Sequence, residues 1–273
     1  MSLLEESKYL LRVYGIVPNR LLGQNFVVDG SVLQRLVDYA SLTPNDVVLD
    51  VGAGFGFLTG LSAARCRIVF AIEKDNSVAS VLEERLVGVA NVTIVRGDAL
   101  TIDVPPFDKL VSAPPYQISS ALLTWLFDRQ FDCAVLILQK EFAKRLAAKV
   151  GTQDYGWLTV YAHSRGVVEL LDDVPRSMFH PEPEVDSMIV RLTPHAQPIF
   201  NINNPRLFVQ MLKHVFSERN KKLSNAALPF AKNVLGLSVE DARLRLRKLD
   251  FCEERVRILT PEAFGEVAHV LID

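Results

Sequence analysis

Apolar residues run through this chain with two different periods. Residues 31–42 (SVLQRLVDYASL) carry Val32, Leu33, Leu36, Val37 and Ala40 at helical spacing, and Thr43-Pro44-Asn45 stops the helix they predict. The next stretch, VVLDVGAG (47–54), is an unbroken apolar run ending in glycines, the pattern of a buried strand. Similar runs occur at 67–73 (RIVFAIE), 92–98 (VTIVRGD), 109–113 (KLVSA) and 133–139 (CAVLILQ), with helix-patterned stretches such as 77–86 and 119–128 between them. Strands alternating with helices at this spacing predict an α/β fold with a doubly wound, mainly parallel sheet. A last pair of runs, 167–174 and 187–194, has no helical pattern between its members and predicts a closing antiparallel hairpin.

After Pro194 the texture changes. HAQPIFNINNP (195–205) is polar, proline-bearing and without period, so it reads as a linker. Beyond it the stretches 206–216, 223–228, 238–249 and 261–272 are all helix-patterned. The expected organisation is a domain over 1–194, a linker over 195–205 and a small all-helical domain over 206–273.

Composition narrows the possible functions. Hydrophobic residues make up 49% of the 273, yet no run of about eighteen apolar residues occurs, and the first thirty residues carry Glu5, Glu6, Lys8 and Arg12. A soluble, cytoplasmic protein with no membrane contact is expected, working as a monomer. Cys66, Cys133 and Cys252 are widely spaced and form no CxxC pair, so neither a disulfide framework nor a metal site is implied. The net charge of −2 offers no overall attraction to nucleic acid. Its distribution is uneven, because residues 206–248 hold ten Lys and Arg against three acids, an excess of seven positive charges. Such a cluster is either a solvated helical face or a surface for phosphates.

The candidate chemistry lies at strand ends, where ligands bind in a doubly wound sheet. Gly52-Ala53-Gly54-Phe55-Gly56 follows the first long strand, and Glu73 ends the next, placed to accept from a ribose diol. This pairing fits nicotinamide dehydrogenases and S-adenosylmethionine-dependent methyltransferases alike. Asp98, in GDAL (97–100), could accept from an adenine amine or simply cap a helix. The fourth strand ends in APPYQISS (113–120), where two prolines stiffen the loop that presents Tyr116.

Taken together, these stretches resemble the ribosomal RNA adenine dimethyltransferases, from about Tyr14 to the C-terminus. The resemblance is carried by LLGQNFVVD (21–29), VLDVGAGFGFLT (48–59), Glu73, GDAL (97–100), PPYQISS (114–120), LQKEFAKRL (138–146), GTQDYGWLTV (151–160), FHPEPEVDS (179–187) and the basic stretch from Phe216 to Leu228. The GQNF and FxPxPxVxS boxes are specific to this family, and the N-terminal stretch looks archaeal. The resemblance implies a Rossmann-like methyltransferase domain that binds S-adenosylmethionine and dimethylates adenine N6 in small-subunit ribosomal RNA, within a pre-30S particle. It implies that Gln24, Asn25 and the backbone near Val27 meet the methionine end of the cofactor, that Gly52 and Gly54 line its path, that Glu73 holds the ribose and that Asp98 holds the adenine amine. It further implies that Tyr116 and Phe179 sandwich the target base, replacing stacking worth roughly 1–3 kcal/mol, while the Pro114 carbonyl accepts an amino proton. Read from the residues alone, Tyr116 could be a loop-rim aromatic and Phe179 part of the core. Arg219, Lys221, Lys222, Arg245 and Arg247 are the expected contacts to RNA phosphates.

One position departs from the family pattern. Its motif has Asn or Asp, a variable residue, then Pro and an aromatic, and the first of these is Ala113 in this chain, a position shared by the catalytic and cofactor-binding sets. Ser112 points to the opposite side of an extended strand and is a poor substitute. A slowed enzyme is the expectation, and a ribosome-assembly factor with weakened or lost catalysis is the alternative. The intact cofactor boxes favour the enzyme. A dehydrogenase would leave the PPY loop and the basic helices unused.

Overall fold

The computed structural model of the protein describes residues 1–19 and 23–273. Residues 21 and 22 of the LLGQNFVVD stretch therefore lie outside the described residues. Nine strands are present among the described residues: β1 (Phe26–Val27), β2 (Val47–Val51), β3 (Ile68–Glu73), β4 (Val92–Arg96), β5 (Lys109–Ser112), β6 (Cys133–Gln139), β7 (Gly166–Val174), β8 (Phe179–His180) and β9 (Ser187–Pro194). Seven form one sheet in the order β4-β3-β2-β5-β6-β9-β7, and β1 and β8 form a separate antiparallel pair.

From β2 the chain steps outward to β3 and β4, then returns past β2 to lay down β5 and β6, all in parallel. The direction of winding therefore reverses at β2, and the carboxyl ends beside it open a crevice. All five residues of β2 are buried, which explains why VVLDV shows no alternation of apolar and polar positions. At the far side β9 runs antiparallel to β6 and lies between β6 and the edge strand β7.

The helix Gly30–Ala40 buries Val32, Leu33, Leu36, Val37 and Ala40, the residues with helical spacing, and packs on β5 and β6. Asp29 starts it by accepting from the Val32 amide. The helix Asn76–Arg85 is started in the same way by Asp75, which accepts from the Ser77 and Val78 amides. The helix Leu3–Val13 opens on a capping box between Ser2 and Glu5. Arg85 ties these pieces to the glycine turn. It bonds Glu6 at 2.6 Å, donates to the Phe55 carbonyl, and lies 4.3 Å over the Phe57 ring.

The chain divides into two compact units, Met1–Ala143 with Glu169–Pro194, and Lys144–Val168 with His195–Asp273. The expected boundary after residue 194 thus differs from the observed division over residues 144–168. The cause lies in packing within the second unit. The helix Trp157–Arg165 packs against the helices Pro205–Ser217 and Pro261–Ile272. The buried Tyr155 hydroxyl donates to the Leu259 carbonyl at 2.7 Å, and His163 meets Glu262 at 3.0 Å. Among the described residues, no helix is long and apolar enough to cross a membrane, and no His, Cys, Asp and Glu cluster could hold a metal ion.

Candidate functional site

A cleft opens at the carboxyl ends of β2, β3, β4 and β5. Its base is the turn after β2. Gly52 sits at φ +76°, a conformation that favours glycine, and a Cβ there would lie 2.8 Å from Cδ of Pro115. The turn is pinned to β3, since the Gly52 and Ala53 amides both donate to the Ile72 carbonyl, at 2.8 and 3.1 Å. At Gly54 a Cβ would press on the Phe26 ring at 3.2 Å, and that ring is itself stacked on Phe55 at 4.1 Å. The glycines therefore let Pro115 and the Phe26 ring close against the turn, and backbone forms this wall of the cleft.

Glu73, the last residue of β3, is 9% exposed. Burial raises the pKa of its carboxyl, and two amides oppose that shift by donating to it, Asp75 at 2.8 Å and Gly54 at 3.0 Å. Asp98 stands across the cleft. Its carboxyl is held below the usual range, first by the Leu100 amide at 3.0 Å and then by Lys74, whose ammonium is 3.1 Å away. Asp98 thus serves a local turn and faces the cleft as well. Gln24 accepts from the Asn19 amide at 2.7 Å and donates to Asp75 at 2.9 Å, while the Asn25 amide group reaches the Gly23 carbonyl at 3.3 Å. Val27 pairs with Phe179 in the short ladder. Every residue expected at the cofactor, Ala113 included, lines this one cleft.

Several lining residues were not assigned from the sequence. Asp75 was not singled out, although an Asp before a helix-patterned stretch is a helix-start signal. Lys74 carried no pattern, and Gln117 lay within the PPYQISS stretch without an assigned role. Asp50, within the quoted VLDVGAG, is fully buried with one hydrogen-bond partner, the Thr59 hydroxyl at 2.7 Å. Burial pushes its carboxyl up to about 7, and the nearby Glu73 charge adds to the rise.

The residues expected at the target base are arranged less simply. Ala113 lines the cleft and packs against the apolar cluster that contains Val27, Val111 and Phe179. Pro114 is buried, and no described backbone donor reaches its carbonyl. Tyr116 is half-buried, with its hydroxyl 2.6 Å from Oγ of Ser187, and burial pushes its pKa up to about 12. Phe179 is 3% exposed and belongs to the core, so the two rings are not presented as a pair of open faces. Neither ring lines the cleft. Ser112 is committed elsewhere, its hydroxyl donating to the Val51 carbonyl at 2.6 Å.

The basic residues of the second unit divide into two groups. Arg219 donates to the Thr152 and Gln153 carbonyls at 2.8 Å each, and Arg245 donates to Val270 and Leu271 at 3.4 and 3.2 Å, near the C-terminal end of the last helix. These two guanidinium groups are tied to backbone. Lys221 and Lys222 make exposed ion pairs with Glu218 and Glu253, and Arg247 makes none among the described residues.

Known proteins resemble the chain along its length. Two relatives, each named "Probable ribosomal RNA small subunit methyltransferase A", come from Methanosarcina acetivorans and Methanothermobacter thermautotrophicus. The first is 39% identical over 92% of both chains. The second is 38% identical over 100% of this chain and 97% of the relative. Among solved structures, a dimethyladenosine transferase from Plasmodium falciparum superposes with a TM-score of 0.78 at 31% identity, covering 89% of this chain and 95% of that one. The 23S rRNA methyltransferase ErmE superposes at 0.65 with 28% identity, covering 91% of this chain and all of that one. With the sequence model of ribosomal RNA adenine dimethylases matching residues 18–238, a span that takes in the whole cleft and the PPY loop, the chain belongs to the ribosomal RNA adenine dimethylase family.

Proposed function

We propose that this protein transfers methyl groups from S-adenosylmethionine to N6 of adenine in small-subunit ribosomal RNA, acting as a cytoplasmic monomer on a pre-30S particle. The observation that carries this reading is the convergence of the Gly52 turn, Glu73 and Asp98 in one cleft whose wall is completed by the loop bearing Tyr116. The fit to the cofactor rests on that cradle. Gly52 and Gly54 let Pro115 and Phe26 close against the turn so that bare backbone lines the cleft, and the Glu73 carboxylate retains lone pairs for a ribose diol beside its two backbone donors. Asp98 is the acceptor for the cofactor's adenine amine, and Gln24 and Asn25 meet its methionine end.

When bound, S-adenosylmethionine would supply a methyl group on a sulfonium, which adenine N6 can take once hydrogen-bond acceptors draw its lone pair out of the ring. The chain's task is positioning. Tyr116 offers a ring to stack on the extruded adenine, held in orientation by Ser187. Phe179 supplies the opposite face only after its ring is uncovered from the core. The Pro114 carbonyl accepts an amino proton and so directs the nitrogen lone pair. No buried base is required, because the methylated nitrogen is acidic enough to lose its proton to water. Ala113 offers no side-chain acceptor here, which slows the reaction by the worth of one hydrogen bond, roughly 0.5–1.5 kcal/mol.

The test is to incubate the protein with methyl-labelled cofactor and undermethylated small subunits, then map the label. Label recovered as dimethyladenosine in the small-subunit RNA is the expected result. Tight binding to the particle without transfer would instead identify an assembly factor, the reading that Ala113 alone favours.

A further inference from the structure

Among the described residues that line the cleft, Lys74 is the one basic side chain, and it stands there with four acids, Asp50, Glu73, Asp75 and Asp98. Three of those acids are held by other partners. Asp50 has the Thr59 hydroxyl, Glu73 has the Gly54 and Asp75 amides, and Asp75 has Gln24 and the first amides of its own helix. Lys74 goes to the fourth. Its Nζ lies 3.1 Å from Oδ2 of Asp98, whose Oδ1 accepts from the Leu100 amide at 3.0 Å.

The sheet brings this pair together. Glu73 and Arg96 are partners in the ladder, and the Gly97 amide donates to the Glu73 carbonyl at 2.9 Å, so Lys74 and Asp98 leave the ends of β3 and β4 side by side. Arg96 bonds Glu83 and Ser80 and does not line the cleft. The Lys74 side chain is 61% exposed, and an ion pair so placed adds little to folding stability. Its contribution to the cleft is a pattern of donors and acceptors.

Oδ2 of Asp98 keeps a lone pair beside Lys74, and an ammonium bonded once keeps two N–H donors. An acceptor and a donor thus stand next to each other. Adenine presents the complement, because its 6-amino group donates while N1 on one side and N7 on the other accept. The side-chain amides of Asn and Gln read the N6 and N7 edge of adenine through the same adjacent acceptor and donor.

We infer that Lys74 is a further cofactor-binding residue, donating to the adenine ring nitrogen that flanks the amine accepted by Asp98. This rests on the proposed function, which sets the adenine of S-adenosylmethionine at Asp98. The role of Lys74 itself rests on its ion pair and its place in the cleft.

Calorimetry on the full chain tests it, with S-adenosylhomocysteine and its 1-deaza and 7-deaza analogues as ligands, none of which can give up a methyl group. The wild-type protein should bind the analogue that lacks the contacted nitrogen about tenfold more weakly than the parent ligand, the effect of one charge-assisted hydrogen bond. Lys74→Met should bind the parent about tenfold more weakly, and that analogue no more weakly than the wild type does, so that the two deletions do not add. Its thermal unfolding should be unchanged. A uniform loss in Lys74→Met across all three ligands would make Lys74 a strut that only orients Asp98. Wild-type affinities in Lys74→Met for all three would leave it no part in binding, and either result overturns the inference. A wild-type protein that binds none of the ligands overturns the proposed function first, and this inference with it.

Discussion

The hydroxyl of Tyr116 and Oγ of Ser187 lie 2.6 Å apart, joining the loop after β5 to the first residue of β9 across 71 positions of sequence. Ser187 is fully buried, so no RNA reaches it. The orientation of the exposed face of Tyr116 is therefore set from inside the protein.

Removing that bond should change rate more than affinity. Tyr116→Phe keeps the ring for stacking and loses one hydrogen bond, worth roughly 0.5–1.5 kcal/mol, which corresponds to a fall in kcat of about twofold to tenfold. Ser187→Ala should give a similar fall, with KM for RNA nearly constant and cofactor affinity by calorimetry unchanged. Wild-type kcat in both variants would show that the bond orients nothing.

Gly52→Ala should weaken cofactor binding by about fivefold to a hundredfold. The added Cβ meets Pro115 at 2.8 Å and sits on a backbone at φ +76°, so either the turn or the PPY loop must move. Strain of this kind costs of order 1–3 kcal/mol. Calorimetry with S-adenosylmethionine and a thermal melt together check it, and unchanged binding would mean that the turn does not form the cradle.

Asp50 predicts a dependence of stability on pH. Its folded pKa of about 7 lies above the ordinary 3.8, so its contribution is complete below about pH 4 and is lost as pH rises toward 7. Asp50→Asn keeps an acceptor for Thr59 and cannot ionise. Urea midpoints from pH 4 to 8 should therefore shift progressively in favour of the variant, by about 4 kcal/mol at most. Parallel curves for the two proteins would place the Asp50 carboxyl in a less costly environment.

Ala113→Asn should accelerate methyl transfer, by about tenfold from the magnitude of one hydrogen bond. The gain should be larger for the first methyl than for the second, because a monomethylated nitrogen has only one proton left to donate. Single-turnover assays that resolve mono- from dimethyladenosine measure both steps. Equal rates in a fast parent and its variant would show that the cleft does not need an acceptor at 113.

The sheet and its glycine turn were legible because burial on both faces leaves continuous apolar runs, as in VVLDV and CAVLILQ. The cofactor residues were legible for a related reason, since each stands at the end of such a run. The helix Trp157–Arg165 was not. Residues 158–162 are all buried, so no polar face marks its period. Strands β1 and β8 have two residues each, too few for any alternation to show. Tyr116 was visible from its loop, yet its tie to Ser187 depends on distant packing. The burial of Phe179 likewise follows from its pairing with Val27, 152 residues earlier in the chain. In the basic cluster, composition counted the charges but could not separate Arg219 and Arg245, spent on carbonyls, from Arg243 and Arg247, which are not.

The interleaving of the two compact units sets an order of events during synthesis. Lys144–Val168 leaves the ribosome well before His195–Asp273, yet the two segments form one unit. At about 5–20 residues per second, the helix Trp157–Arg165 waits on the order of ten seconds for the helix Pro261–Ile272 that covers it. Until the helix Pro205–Ser217 emerges part-way through that interval, Val160, Tyr161 and Ala162, all buried in the finished protein, lack the later helices of their own unit. The nascent chain is thus most open to proteases and to mispairing at a segment that looks, in the completed fold, like part of its interior.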